Sequence, residues 1–286
     1  MGTIFIGILI ILAIIAVVGI IFYLITNPSL SRNWSPDQAV MPSIHFLEDT
    51  KKQHNRIRIN NIRDINYRTT RDFDLQFYDR TINLEDVESA WLVISPFGSF
   101  GVAHTFVSFG LKDGSFLAIS IEIRRKQGKS FSAVKAFFRQ FEMMYVIADE
   151  SDVIKVRTNT IKATVRLFPI QTEKKQVQAV FLDMLKRADK LGIEPEFYNT
   201  IWNNCTTNII KHARRFSSKP IPFWDFRYLL PENIDKIAYD LNMIDTHLSY
   251  KEAREHFDIT EIAQASEDAK DFSNAIRANI ITRPVR

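Results

Sequence analysis

The chain has 286 residues, 46% of them hydrophobic, with 37 basic against 33 acidic side chains and a single cysteine. One cysteine excludes an internal disulfide framework and a multi-cysteine metal site. The small basic excess sits in short clusters at 56–63, 124–126 and 212–215 with no nucleic-acid motif beside them, so solvated surface accounts for them, with anionic lipid headgroups as the functional alternative.

The run from Ile4 to Ile25, IFIGILIILAIIAVVGIIFYLI, holds 22 residues without a charge. A helix of about 20 apolar residues crosses a bilayer core. A cleavable signal peptide would place basic residues before a shorter apolar core and small residues at a cleavage site. MGT carries no charged side chain and TNPSLSR offers no such site, so the expectation is an uncleaved transmembrane helix over 4–26. Only Arg32 lies near the run, and flanking charge does not orient it. Residues 27–55, with three prolines among many polar residues, read as a juxtamembrane linker.

From Ala90 the pattern is that of a sheet. SAWLVISPF, VAHTFVSFG and SFLAISIEIR are rich in β-branched and aromatic residues, and LKDG between the last two signals a hairpin. FSAVKAFFRQFE predicts a helix of about three turns, and MMYVIAD, DVIKVRT and ATVRLFP predict three more strands. TEKKQVQAVFLDMLKRADKLG is an amphipathic helix, with Val177, Val180, Phe181, Met184, Leu185 and Ala188 on one face and Gly192 closing it. A second buried helix follows Asn204, and from Ser249 a capping box, SYKE, opens a largely helical C-terminal part. Grouped strands with helices before and after them predict an α+β fold, an antiparallel sheet packed on helices.

The one cysteine stands in NNCTTNII, residues 203–210. Asn204 is a good N-cap, which makes Cys205 the first helical residue. Helix N-termini favour anions, and this lowers a thiol pKa and stabilises an oxyanion. Against this, free cysteines are usually buried and inert. Asn203, Asn204 and Thr206 are candidate oxyanion or supporting residues; capping explains Asn204 equally well.

A thiol nucleophile needs a base. His212, two turns along the same helix, stands roughly 10 Å away. His104 begins the strand HTFVSFG, where a histidine among apolar residues is either a satisfied core group or a base. If KDG is a three-residue loop with Gly114 left-handed, paired positions sum to 226 and Glu122 lies opposite His104, placed to orient the imidazole. That register puts Phe106, Ser108, Ala118 and Ser120 on the same face. A two-residue Asp-Gly turn shifts the sum to 227 and puts Ile123 opposite instead; the residues leave both open.

A histidine on an early strand, followed about a hundred residues later by Asn-Cys at a helix start, resembles circularly permuted papain-like enzymes. The segments AHTFVSFGLKDGSFLAISIEIRRKQGKSFSAVKAFFRQFEMMYVIADESDVIKVRT, PEFYNTIWNNCTTNI and LPENIDKIAYDLNMID closely resemble the Lnb N-terminal periplasmic domain family, over about residues 56–245. The resemblance implies a permuted papain-like (NlpC/P60-like) catalytic domain over 56–245, with a helical extension over 246–286. It also implies a single-pass protein of the bacterial inner membrane whose bulk faces the periplasm. It further implies a thiol acyltransferase with Cys205 as nucleophile and His104 as general base, needing no cofactor. The implied partners are a membrane phospholipid and a lipoprotein amine. A multi-span membrane region accompanies such acyltransferases, and this chain has one apolar run. Two other readings use the same residues differently: a cysteine peptidase or amidase on cell-wall peptides, and a non-catalytic periplasmic scaffold in which Cys205 and His104 stand far apart or are sealed in the core. The scattered histidines lack ligand spacing, so no metal site is expected.

Overall fold

A computed structural model of the chain describes residues 26–47, 56–98, 101–223 and 225–280, with scattered positions between 5 and 25. The strands described are β1 Ser43–Leu47, β2 Arg56–Arg63, β3 Asn66–Tyr67, β4 Phe73–Asp74, β5 Phe77–Asn83, β6 Val87–Pro96, β7 Ala103–Leu111, β8 Phe116–Arg124, β9 Glu142–Ala148 and β10 Arg166–Pro169. The α-helices described are α1 Ala133–Phe137, α2 Glu150–Val153, α3 Lys174–Leu191, α4 Cys205–Phe216, α5 Ile234–Asp240, α6 Tyr250–His256, α7 Thr260–Ala265 and α8 Phe272–Ala275.

The main sheet runs β1-β2-β9-β8-β7-β6-β10, with β5 also paired to β2. Its neighbours are antiparallel except for one parallel contact, Arg63 with Ala148, between β2 and β9. The α+β class therefore holds, but the sheet is mixed where an antiparallel one was expected. Arg63 secures that contact: its guanidinium passes the strand end and holds both Asp152 oxygens at 2.8 Å.

Strand alternation sends one set of side chains to each face. Val107, Phe109, Leu117, Ile119 and Tyr145 pack with Phe181, Met184 and Leu185 of α3 and with Cys205 at the start of α4. On the opposite face Phe106, Ala118, Met144 and Val146 pack with Val153, Ile154, Ile259, Ala263 and Phe272. The C-terminal residues expected as an extension thus supply one of the two helical layers.

Several local expectations are corrected. DVIKVRT is helical: α2 is followed by a π-helical turn over Val156–Thr160. Acidic residues at 149–152 suit a helix start, and Asp152 is captured there by Arg63. The helix expected over 131–142 is only α1, because Arg139 turns left-handed at φ 55° and stops it. The 27–55 stretch is no loose linker over 29–47. Arg32 pairs with Glu142 at 2.6 Å, Ser35 N–H donates to Arg125 O at 2.8 Å, and β1 pairs along β2. Residues 48–55 of that stretch lie outside the described residues. So does much of the 4–26 span; its described positions, such as Phe5, Ile10, Ile14 and Ile25, are helical and exposed. Among the described residues no helix is long and apolar enough to cross a membrane.

Candidate active site

Cys205 is set in place by the start of α4. Asn204 Oδ1 accepts from the Thr207 N–H at 2.8 Å, and the Thr207 hydroxyl accepts from the Asn204 N–H at 2.9 Å. This reciprocal lock makes Cys205 the first helical residue, as the Asn204 cap predicted. The Thr207 N–H is spent on the cap, while those of Cys205 and Thr206 have no acceptor within the helix. They meet the sulfur's surroundings at the positive end of the helix dipole.

His104 comes from the sheet. Gly114 adopts φ 84° and the β7–β8 ladder pairs Phe106 with Ser120 and Gly110 with Phe116. That is the 226 register, the one of the two alternatives that needs a left-handed glycine. The ladder stops at Phe106–Ser120, although β7 continues back to Ala103 and β8 on to Arg124. Beyond that pair the strands part, and their backbone groups become free for other partners. The cysteine from one helical layer meets the histidine from the opposite strand face at this opening.

The thiol uses those groups. Cys205 is only 3% exposed. Burial pushes its pKa up, but hydrogen bonding and charge from His104, with the Thr105 hydroxyl and N–H, outweigh burial and bring it down to about 6. Thr105 also bonds Thr206 through their hydroxyls at 3.0 Å, and the Tyr198 hydroxyl lies 3.9 Å from the sulfur. His104 thus lies close enough to Cys205 to act on its thiol. Thr105 and Tyr198 were missed; the adjacency of Thr105 to His104 was the available signal.

His104 Nε2 meets Ser120 Oγ at 2.8 Å, and Ser120 Oγ donates to Glu122 Oε1 at 2.9 Å. The single Ser120 proton goes to the carboxylate, so the hydroxyl accepts from an Nε2–H. This fixes the imidazole tautomer, with Nδ1 as the unprotonated ring nitrogen. Glu122 orients His104 through Ser120; the direct separation is 4.0 Å. Burial raises the Glu122 pKa, but the Arg63 and Arg157 guanidiniums at 4.0 and 3.7 Å override it and hold the carboxyl near 2. Ser120 was placed on the correct face by the sequence and given no role.

The other candidates act as support. The Asn203 Nδ2 donates to Phe197 O at 2.9 Å and the Asn204 Nδ2 to Thr200 O at 2.7 Å. Both fold the loop ahead of Cys205, while the backbone N–H groups of Cys205 and Thr206 have no acceptor within the helix. Thr206 braces Thr105. His212 belongs elsewhere, bonded to Tyr145 at 2.8 Å and Asp183 at 2.6 Å, with burial pulling its pKa below the usual imidazole range. Among the described residues no group of His, Cys, Asp and Glu stands where it could hold a metal ion.

One turn along α4 from the thiol, Ile209 and Ile210 open onto a cavity of about 120 Å³ between α3, α4, α5 and the sheet. Val107, Val177, Val180 and Met184 line it, and its walls are almost wholly apolar. A space of that size with few polar partners suits an apolar group better than water.

No curated protein matches the chain. Nor does any solved structure. The family model of the Lnb N-terminal periplasmic domain matches residues 74–232, more than half of the chain, and takes in His104, Ser120, Glu122 and Cys205. This chain, with its Cys–His pair at the parting of β7 and β8, belongs to the Lnb N-terminal periplasmic domain family.

Proposed function

We propose that the protein is a membrane-anchored periplasmic thiol acyltransferase of permuted papain-like fold, which carries a fatty acyl group as a thioester on Cys205. The observation that carries this reading is the approach of His104 to the buried Cys205 thiol, whose pKa it brings down to about 6, making the sulfur largely thiolate at neutral pH. That approach does not fit a scaffold in which the two residues stand apart.

In the first half-reaction the thiolate attacks a phospholipid ester carbonyl. A carbon–sulfur bond forms, the ester carbon–oxygen bond breaks, and protonated His104 gives its proton to the departing lysophospholipid oxygen. The Cys205 and Thr206 N–H groups stabilise the oxyanion. In the second half-reaction a lipoprotein amine attacks the thioester, an amide bond forms, the thiolate leaves, and His104 takes the amine's proton. A covalent intermediate suits two membrane-borne substrates that arrive separately. Two further features support acyl transfer over peptide cleavage: the apolar cavity that begins one turn from the nucleophile, and the apolar run at 4–25 that would keep the site at the bilayer.

The test is to reconstitute the full chain in vesicles holding a phospholipid with a labelled acyl chain, then add a diacylglyceryl peptide. Intact-protein mass spectrometry should find a hydroxylamine-labile acyl adduct on Cys205, together with lysophospholipid and acylated peptide. Absence of both adduct and lysophospholipid, with cleavage of cell-wall peptides by the same preparation, would overturn the reading in favour of the peptidase.

A further inference from the structure

The chain from Arg124 to Phe141 carries six basic residues and no acidic one. It also presents large apolar side chains to solvent: Val134 is 68% exposed and Phe138 54% exposed. Trp202, on the loop that leads to Cys205, is 52% exposed and packs edge-on against Phe137 at 5.9 Å. Hydrogen bonds from Thr200 to Ala133 O at 2.7 Å and from Asn199 to Phe137 O at 3.3 Å tie that loop to α1. Phe97, at the end of β6, extends the patch through Phe131 at 6.0 Å. The exposed ridge therefore lies beside the end of the sheet that holds His104 and Cys205.

We propose that this ridge of α1 and the 199–203 loop is a lipid-facing surface that seats the catalytic end of the domain on a bilayer containing anionic phospholipid. Two observations select lipid as the occupant. The first is continuity with the N-terminal apolar run: Arg139 Nη1 donates to Tyr23 O at 2.9 Å, and its guanidinium stacks over the Tyr23 ring at 3.7 Å. Tyr23 is thereby held against the residue that ends α1. The second is composition. Exposed Lys126, Lys129 and Lys135 accompany the aromatic side chains, and basic groups beside Trp and Phe suit a headgroup boundary with anionic lipid. The proposal rests on the membrane seat of the N-terminal run and not on the chemistry of Cys205. It makes the mouth of the site face the lipid plane, so a lipid substrate reaches it without leaving the bilayer.

The full chain carrying Cys205→Ala is the background, so that one introduced cysteine is the sole label site. An environment-sensitive fluorophore is attached to Val134→Cys or, as a control, to Lys112→Cys at the β7–β8 hairpin tip. That tip is roughly 26 Å from His104 along extended strand. Both proteins are reconstituted in phosphatidylcholine vesicles containing phosphatidylglycerol. The expected result is that the label at 134 is shielded from aqueous iodide and quenched at least threefold more by doxyl-labelled lipid than the label at 112. A protein that floats with the vesicles while both positions stay equally open to iodide would overturn the surface alone. Shielding that follows protein density instead of doxyl lipid would assign the ridge to a second copy of the chain and would also overturn it. Failure to float with vesicles would remove the membrane seat and the ridge together, leaving the chemistry of Cys205 to its own assay.

Discussion

His104 is tied to Glu122 through the Ser120 hydroxyl, in a chain of 2.8 and 2.9 Å contacts, while the ring and carboxylate themselves stand 4.0 Å apart. The two acceptors differ in what they hold. Ser120 carries only the tautomer, whereas Glu122 also neutralises Arg63 and Arg157 in the interior. Ser120→Ala should therefore lower kcat about 100-fold, the scale of a general-base contribution, with the fold retained. Glu122→Gln should lose activity and also stability, about 3 kcal/mol, because a buried ionic cluster loses its carboxylate. Thermal melts beside steady-state kinetics separate the two. Equal destabilisation by both substitutions would refute the division of labour.

The second prediction concerns the thiol itself. Its pKa of about 6 depends on His104, and thiolate absorbance near 240 nm reads the ionisation without any substrate. The native chain should titrate with a midpoint near 6, and His104→Ala should move it toward the ordinary thiol value of 9.0. The sign for activity follows: the rate falls as pH drops through about 6, since the nucleophile becomes protonated. For stability, a depressed thiol pKa contributes fully above the ordinary value of 9.0 and loses that contribution as pH falls to about 6. A midpoint unchanged by His104→Ala would show that the helix start and Thr105 alone lower the pKa.

The helix start at Cys205 was legible in the sequence because it is local, and the β7–β8 register was narrowed to two alternatives that the left-handed Gly114 separates in the structure. An asparagine cap and a left-handed glycine state their geometry within a few residues. Strand β2 was not legible, since RIRINNIR alternates only as far as Ile59 before a bulge at a left-handed Asn61 breaks the pattern, and it takes its place from pairing with β1 and β5. DVIKVRT looked like a strand by its β-branched residues; a partner 89 positions away, Arg63, decided otherwise by binding Asp152. Ser120 was visible on the right face, but only three-dimensional spacing shows that a short hydroxyl fills the gap between imidazole and carboxylate.

That Arg63–Asp152 pair makes a third prediction. Both side chains are buried, the contact is bidentate, and Asp152 also accepts from the Ile65 N–H at 2.9 Å. Asp152→Asn leaves the guanidinium without its closest counter-charge, which should cost about 3–5 kcal/mol. The loss should appear in denaturant unfolding of the detergent-solubilised chain, and in weaker catalysis because Arg63 is also a neighbour of Glu122. A change of less than about 1 kcal/mol would place the pair with ordinary surface bridges.

Asn204 offers a test that separates helix position from electrostatics. Its side chain caps α4 through Oδ1, so Asn204→Ala should cost about 1 kcal/mol and misplace the first helical residue. Asn204→Asp retains an acceptor for the Thr207 N–H, and aspartate is as good a cap as asparagine. Stability should then stay within about 0.5 kcal/mol of the native chain, even though the bond from Nδ2 to Thr200 O is lost. The new carboxylate sits on the residue directly before Cys205. Like charges disfavour ionisation, so the thiolate midpoint should rise from about 6, and the acid limb of the rate profile should move with it. A folded Asn204→Asp protein whose thiolate midpoint stays put would mean that the helix start does not govern the charge on Cys205.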